Sequence, residues 1–326
     1  MRAVAIEGAG GPEVLAVREV PAPVPAAGEV LVDVVAAGLN RADVQQRRGL
    51  YPPPAGASDV PGLEVSGHVA DPGDSGFAVG DAVVALLAGG GYAEQVAVPA
   101  GQVVRAPSGV GLVEAAALPE TAATVWSNLV LQAGLVAGDH VLIHGASGGI
   151  GLMAIQVGLA LGAVPHVTAG STAKLDVARS LGVDSLINYR DQDFVAEVVA
   201  ATDGHGADVI LDVVGAAYLA RNIEALATGG RLVVIGLQGG ARAELDLAAL
   251  MGKRASVAGT TLRSRPVTEK AAIMRAVQEN VWPLVASGAV RPFVDRTFPL
   301  ADVADAHTYF DSGEHTGKVL LTLTLT

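Results

Sequence analysis

At 326 residues the chain is long enough for about two domains, each with its own core. It is 51% hydrophobic and only 17% charged, which excludes a disordered ground state. A net charge of −12 repels nucleic acid overall, and the absence of cysteine rules out disulfides, thiolate nucleophiles and cysteine zinc sites. The composition suits a reducing cytoplasm, and the opening MRAVAIEGAGGPE lacks the apolar stretch of a signal peptide.

The first third reads as short strands. MRAVAI and EVLVDVVAAGL (Glu29–Leu39) alternate or run apolar, and proline- and glycine-rich stretches such as YPPPAGASDVPG break them. Such punctuation predicts an irregular β-barrel. From about Pro119–Thr124 the rhythm changes to strand, helix, strand. HVLIH, VPHVTA, DSLINY, ADVILDVVG and RLVVIG are the predicted strands. GIGLMAIQVGLALG, TAKLDVARSLG, DQDFVAEVVAAT (capped by Asp191) and AYLARNIEALATGG (residues 217–230) are the helices. This alternation predicts a parallel sheet covered on both faces, with right-handed crossovers. A longer helix is predicted over about Thr268–Ser287. Then come strand RPFVDRTFP, helix LADVADAHTYF and strand GKVLLTL, which return to complete the first domain.

Between Asp139 and Lys174 only His140, His144 and His166 can carry charge, so a hydropathy window flags a membrane span. The glycine cluster and Pro165 cut the run into pieces too short to cross a bilayer. The cluster itself, Gly145-Ala146-Ser147-Gly148-Gly149-Ile150-Gly151, follows a strand and opens a helix. Residues 146–151 fit the dinucleotide fingerprint G-x-G-x-x-G with Ala146 in the first place. Free N–H groups and the dipole at a helix start suit a diphosphate, and missing side chains let it approach. Ser147 either bonds the diphosphate or caps the helix. The same string fits the G-x-S-x-G spacing of serine hydrolases, but only His205 offers itself as a later histidine in this region.

The end of the second strand of this unit selects the cofactor. An Asp or Glu there holds the ribose 2′-hydroxyl of NAD. Here Gly170-Ser171 stands instead, with Lys174 close by and Tyr189 after the next strand, which points to NADPH. Lys174 is one of four lysines, against the bland reading of an exposed helix lysine.

LNRADVQQRRGLYPPPAGAS, PGLEVSGHVA, IHGASGGIGLMAIQ, TAGSTAKLDVARSLGVDSLINYRDQDF, ALLAGGGYAEQVAVP and GKVLLTL together resemble the zinc-independent quinone oxidoreductases of the medium-chain dehydrogenase/reductase superfamily. The likeness is greatest to the branch of the tumour-suppressor-inducible quinone oxidoreductase. It spans nearly the whole chain. It implies a GroES-like β-barrel catalytic domain from both chain ends, residues 1–121 and 266–326, and a Rossmann NADP(H)-binding domain with a doubly wound parallel sheet over 122–265. It also implies NADPH as cofactor, a quinone or other small electrophilic acceptor, and a homodimer paired through the Rossmann sheet edges.

The zinc alcohol dehydrogenases of the superfamily are the nearest rival. At their first metal ligand this chain has Asn40, and where their histidine precedes a glutamate it has Leu63 before Glu64. His68 alone is not a metal site. Without a Lewis acid, alcohol oxidation loses its alkoxide stabiliser, whereas a quinone or enone takes hydride to give a delocalised anion. The expected activity is therefore NADPH-dependent quinone reduction. The alternatives are a 2-alkenal or enoyl reductase and an NADPH-binding protein without catalysis.

The resemblance puts Tyr51 in the substrate cleft, to stack on a quinone or to donate to an oxyanion. Asn40 can bond ribose or substrate oxygen, or be a turn asparagine in the left-handed region. Arg41 and Asp43 pair with each other or with the fold. Thr124, opening a helix, and more weakly Asn128 join the cofactor set, as do Gly236, Leu237 and Gln238 at a strand end. Leu262 and Arg263, with Arg265 nearby, either approach cofactor and substrate or form a solvated face. Lys318 is expected to close over the cofactor.

Overall fold

A computed structural model describes residues 1–323. The contacts divide the chain into two compact units: Met1–Ala123 with the segment from Leu262 onward, and Thr124–Thr261. Leu262, Arg263 and Arg265 thus belong to the first unit, inside the expected boundary at 265/266.

The first unit opens on an antiparallel hairpin, β1 (Arg2–Ile6) and β2 (Leu15–Glu19). In β3 (Glu29–Gly38) the residues Val30, Val32 and Val34 are buried while Leu31, Asp33 and Val35 are only half so, the period of a strand with one core face. Helix α1 (Arg41–Arg47) follows, then β4 (Glu64–Asp71), β5 (Ala82–Leu86), β6 (Gln95–Pro99) and β7 (Val103–Arg105). Two short helices, α2 (Leu112–Ala115) and α3 (Pro119–Val125), close this stretch.

In the second unit a π-helical run, Trp126–Gln132, leads into β8 (His140–His144), α4 (Gly149–Ala160), β9 (Val164–Ala169), α5 (Thr172–Ser180) and β10 (Ser185–Asn188). Then come α6 (Phe194–Ala201), β11 (Ala207–Asp212), α7 (Leu219–Ala225), β12 (Leu226–Val234), α8 (Leu247–Lys253) and β13 (Ser256–Gly259). The six strands are parallel in the order β10-β9-β8-β11-β12-β13, the doubly wound Rossmann arrangement. Every residue from Gly151 to Gly158 is buried, so α4 is apolar all round because it is enclosed. Its 12 residues are about 18 Å long, well short of a hydrocarbon core. Among the described residues no helix is long and apolar enough to cross a membrane.

The chain then returns through α9 (Val267–Asn280), α10 (Trp282–Ala286), β14 (Val294–Pro299), α11 (Val303–Ser312) and β15 (Lys318–Thr322). The larger sheet of the first unit runs β14-β15-β3-β4-β5-β7, with β6 also paired to β3. It is antiparallel except at β14 and β15. Val4, Val32, Val65, Val98, Val319 and Leu321 share one core, so residues from both chain ends fill it.

Three local expectations are corrected. Asp193, not Asp191, caps α6 by accepting from Val195 N–H, while Asp191 is taken by the Asn188 amide. The helix expected over 217–230 ends at Ala225, because Leu226 already pairs with Ala207 as the start of β12. The helix over Thr268–Ser287 breaks at Val281, two residues before Pro283, which has no N–H to continue the ladder.

Candidate functional site

The glycine loop is built from main chain. Gly145 leaves β8 with φ +80, and its N–H and that of Ala146 both donate to the Thr168 carbonyl at the end of β9. The fingerprint's tight turn is thus made by Gly145, and alanine at position 146 costs nothing. Gly148 is the N-cap of α4 with no side-chain cap, so Ser147 does not cap the helix. A Cβ on Gly148 would meet nothing nearer than the Gly145 carbonyl at 3.7 Å; on Gly151 it would lie 2.2 Å from that oxygen. Gly151 therefore serves helix–strand packing, and Gly148 leaves an open approach to the first N–H groups of α4, from Gly149 and Ile150 onward. This cradle fits a dinucleotide diphosphate.

A buried polar chain fastens the strand ends around this loop. His144 Nδ1 accepts from the Thr168 hydroxyl at 3.0 Å, and Nε2–H donates to Asn222 Oδ1 at 2.8 Å. Asn222 Nδ2 donates to Asp212, which also accepts from the N–H groups of Val214 and Gly215. Burial lowers the His144 pKa to about 4, so the ring is neutral at pH 7; with Nε2 facing an amide oxygen, the proton sits on Nε2 and Nδ1 accepts. After β12, Gly236 lies so close to Val213 that a Cβ would sit 2.6 Å from its carbonyl. Gln238 N–H donates to that same carbonyl, and the Leu237 side chain is exposed.

At the end of β9, Ser171 caps α5 and accepts from Lys174 N–H at 3.4 Å. A Cβ on Gly170 would fall 2.5 Å from the Tyr189 hydroxyl and 3.4 Å from Arg190 Nε. The glycine is what lets the phenol and the guanidinium stand there. Ser171, Tyr189 and Arg190 thus gather around Gly170, with Lys174 in the first turn of α5 and no carboxylate between Gly170 and Leu175.

Thr124 lies at the end of α3 rather than opening a helix, and is nearly buried. Its carbonyl accepts from Asn128 Nδ2 at 2.7 Å, and Asn128 Oδ1 accepts from the Thr260 hydroxyl.

The first unit holds a different kind of site. Asn40 has extended backbone, φ −131, so the left-handed turn is excluded. Its Nδ2 donates to the Gly38 carbonyl and to Glu64 Oε1, and its Oδ1 accepts from Lys318 Nζ at 2.7 Å. Lys318 Nζ lies 2.6 Å from Glu64 Oε1 and also donates to the Leu39 carbonyl. Glu64 Oε2 accepts from Glu120 N–H. The Lys318 ammonium is therefore held by Leu39, Asn40 and Glu64, all within this unit.

Asp43 is fully buried and accepts from Asn40 N–H, Gly62 N–H and the Tyr92 hydroxyl. Burial raises its pKa to about 6 against the pull of those bonds. Arg41 instead sits by Asp311 and Phe310.

Tyr51 is half-buried, with Arg263 Cζ 5.4 Å from its ring centroid. Leu262, before it, is buried.

Two families match: the zinc-binding dehydrogenases over residues 181–321 and the alcohol dehydrogenase GroES-like domain over 26–108. Human quinone oxidoreductase is 32% identical over 99% of this chain and 98% of its own length. The chain belongs to the quinone oxidoreductase family, within the medium-chain dehydrogenase/reductases. It is an NAD(P)H oxidoreductase of that type. Escherichia coli quinone oxidoreductase, solved with NADPH, matches with TM-score 0.87 and 30% identity over 99% of this chain and all of that one. The CurK enoyl reductase matches with TM-score 0.85 and 27% identity over 99% of both chains. A phenolphthiocerol/phthiocerol polyketide synthase chain of Mycobacterium tuberculosis is 36% identical over 98% of this chain, which spans only 14% of that protein.

The zinc-ligand positions of the alcohol dehydrogenases carry other residues in this quinone oxidoreductase family member. Leu63 is buried in the core, Asn40 has its amide spent, and Glu64 is neutralised by an ammonium. His68 contributes one imidazole, facing the Gly80 carbonyl. Among the described residues no three His, Asp or Glu side chains could hold a metal.

Sequence reading missed Arg190, Asn222, Glu120 and the role of Lys318. Polar residues ending apolar strands, His144, Thr168 and Asp212, were the available signal for the buried chain. Arg190 directly follows Tyr189.

Proposed function

We propose that this protein is an NADPH-dependent quinone oxidoreductase that works without a metal. The observation that carries the reading is the Asn40–Glu64–Lys318 cluster. It fills with an internal ion pair the region where zinc dehydrogenases carry ligands. The acceptor must then stabilise its own negative charge after taking hydride, as quinones do.

When bound, the nicotinamide cofactor supplies the hydride. The N–H groups of Gly149 and Ile150, at the Gly148 cap, and Ser147 hold the diphosphate. Ser171, Lys174, Tyr189 and Arg190 hold the 2′-phosphate, an anion that a carboxylate at this position would repel. Gly170 gives them room. Thr124 and the Gly236-Leu237-Gln238 loop contribute main-chain groups to the rest of the cofactor. Tyr51 donates a hydrogen bond to the oxygen on which charge develops, and solvent delivers the proton that completes the hydroquinone. Asn40 has no N–H to spare for substrate and acts by holding Glu64.

The protein works as a homodimer, joined through β13. That strand is at the sheet edge and largely exposed, and Leu247, Met251 and Val257 nearby are exposed too. The cysteine-free composition agrees with a reducing cytoplasm.

The test is NADPH and NADH oxidation with a panel of ortho- and para-quinones. A strong preference for NADPH with quinone turnover is expected. Equal use of both nucleotides would remove the 2′-phosphate assignment. The similarity to CurK favours enoyl reduction as the second reading, and a higher kcat/KM for enones than for quinones would establish it. Nucleotide binding with no turnover on either class would leave only a binding protein.

A further inference from the structure

Arg263 is 3% exposed, yet among the described residues its hydrogen bonds all go to neutral acceptors. Nε donates to the Ala88 carbonyl at 2.7 Å, Nη2 to Gln46 Oε1 at 2.7 Å and Nη1 to the Tyr51 carbonyl at 3.3 Å. Among the described residues no carboxylate lies within ion-pair distance of the guanidinium. The charge is fixed in direction and uncompensated by contact, so it acts on its neighbours more strongly than an exposed arginine would. The nearest ring is Tyr51. Gln46 also donates from Nε2 to the Asp59 carbonyl at 2.8 Å. The pair Arg263 and Gln46 therefore grips the proline-rich loop at both ends, Tyr51 and Asp59. Lys270, itself buried, donates to the Arg263 carbonyl and fixes the arginine in turn.

We propose that Arg263 is the positioning residue of Tyr51: it fixes the loop and ring, and its unpaired charge favours negative charge on the phenol oxygen. The proposal rests on the reading of Tyr51 as the hydrogen-bond donor to the reduced acceptor. A phenol that tolerates partial negative charge is a stronger donor to a developing oxyanion. Burial holds the Tyr51 phenol above its ordinary pKa; among the charged groups Arg263 favours the phenolate and Glu120 opposes it. Asp43 and Glu120 favour the Arg263 charge from beyond ion-pair distance, and Arg263 in turn disfavours the charge on Lys270.

The test uses the full chain and the variants Arg263→Met, Gln46→Glu and Tyr51→Phe. The ultraviolet tyrosinate titration, wild type minus Tyr51→Phe, isolates Tyr51. In Arg263→Met its midpoint should rise by about one pH unit, a tenfold change in acidity. Gln46→Glu, nearly the same size, pairs the guanidinium with a carboxylate and should raise it as well, so the test survives if Arg263→Met does not fold. With NADPH and a para-quinone, Arg263→Met should lower kcat about tenfold in the wild-type background. In the Tyr51→Phe background the loss should be less than about twofold, since the two act through one group. An unchanged titration in both variants, or losses that multiply independently, would overturn the proposal. Absence of quinone turnover would defeat the functional reading alone, because the titration still judges Arg263.

Discussion

The two candidate sites of this molecule are built on opposite plans. In the second unit the glycine loop offers backbone N–H groups and almost no side chain, and all its parts lie within seven consecutive residues. In the first unit the Asn40–Glu64–Lys318 cluster is dense with side chains, and Asn40 and Lys318 meet from 278 residues apart. A main-chain site tolerates changes of side chain wherever no Cβ is forbidden. A side-chain cluster fails when any one partner is lost, because burial makes every orphaned charge costly.

That contrast is sharpest at Lys318. Lys318→Met should destabilise the protein by about 3–5 kcal/mol in urea unfolding, since Glu64 would remain buried without its cation. Adding Glu64→Gln should recover much of the loss; no recovery would mean that the pair is not the reason for the cost.

In the glycine loop the corresponding change is Gly151→Ala, which forces a Cβ against the Gly145 carbonyl. A loss of about 1–3 kcal/mol is expected from such overpacking. Gly148→Ala, with its open approach, should leave the stability of the free protein within about 0.5 kcal/mol while weakening NADPH in a fluorescence titration. If Gly148→Ala bound NADPH as wild type does, the loop would not be the diphosphate seat.

Both units should respond to acid through buried histidines. Burial lowers the pKa of His144 and His166 to about 4 and that of His307 to about 3. These rings are neutral in the folded chain while the unfolded chain takes up protons below about 6.5. Stability should therefore fall as pH drops from 6.5 towards 4. Asp43, raised to about 6, works the other way, because the folded chain holds its proton more tightly. Thermal unfolding at pH 7 and pH 4.5 should show the histidines winning, with a lower midpoint at the acid pH. His144→Gln should weaken that dependence.

The smallest effect concerns nucleotide choice. Lys174→Ala with Arg190→Ala should raise the KM for NADPH about tenfold and leave NADH unchanged, as removal of charge-assisted bonds to one phosphate would. An equal change for both nucleotides would show that these side chains act on the fold and not on the 2′-phosphate.

What could be read beforehand follows the same division. The parallel sheet and its glycine loop were legible because alternating strands and helices and the G-x-G-x-x-G spacing are local signals. Even there, Ala146 hid the fact that Gly145 makes the turn, and the start of β12 was masked by a helix-friendly Ala225-Leu226-Ala227 stretch. Composition alone cannot tell whether Asp191 or Asp193 faces the free amide at the start of α6. In the first unit, Asn40 and Tyr51 each stand out in sequence on their own. Nothing near Asn40 in sequence announces Lys318, and nothing near Tyr51 announces Arg263. Long-range pairing carried that information, and no periodicity reports it.

The first unit is interrupted in sequence, and the interruption has a consequence for synthesis. At about 5–20 residues per second a ribosome needs roughly a quarter of a minute to a minute to reach Lys318 after Asn40 has emerged. Once Gly259 has emerged, the middle of the chain has every strand of its own sheet, whereas the leading segment still lacks β15 and the ammonium that its Glu64 requires. The nascent protein can thus finish the nucleotide-holding half early and shelter the other half only at the last moment, when the final strand slots in beside β3.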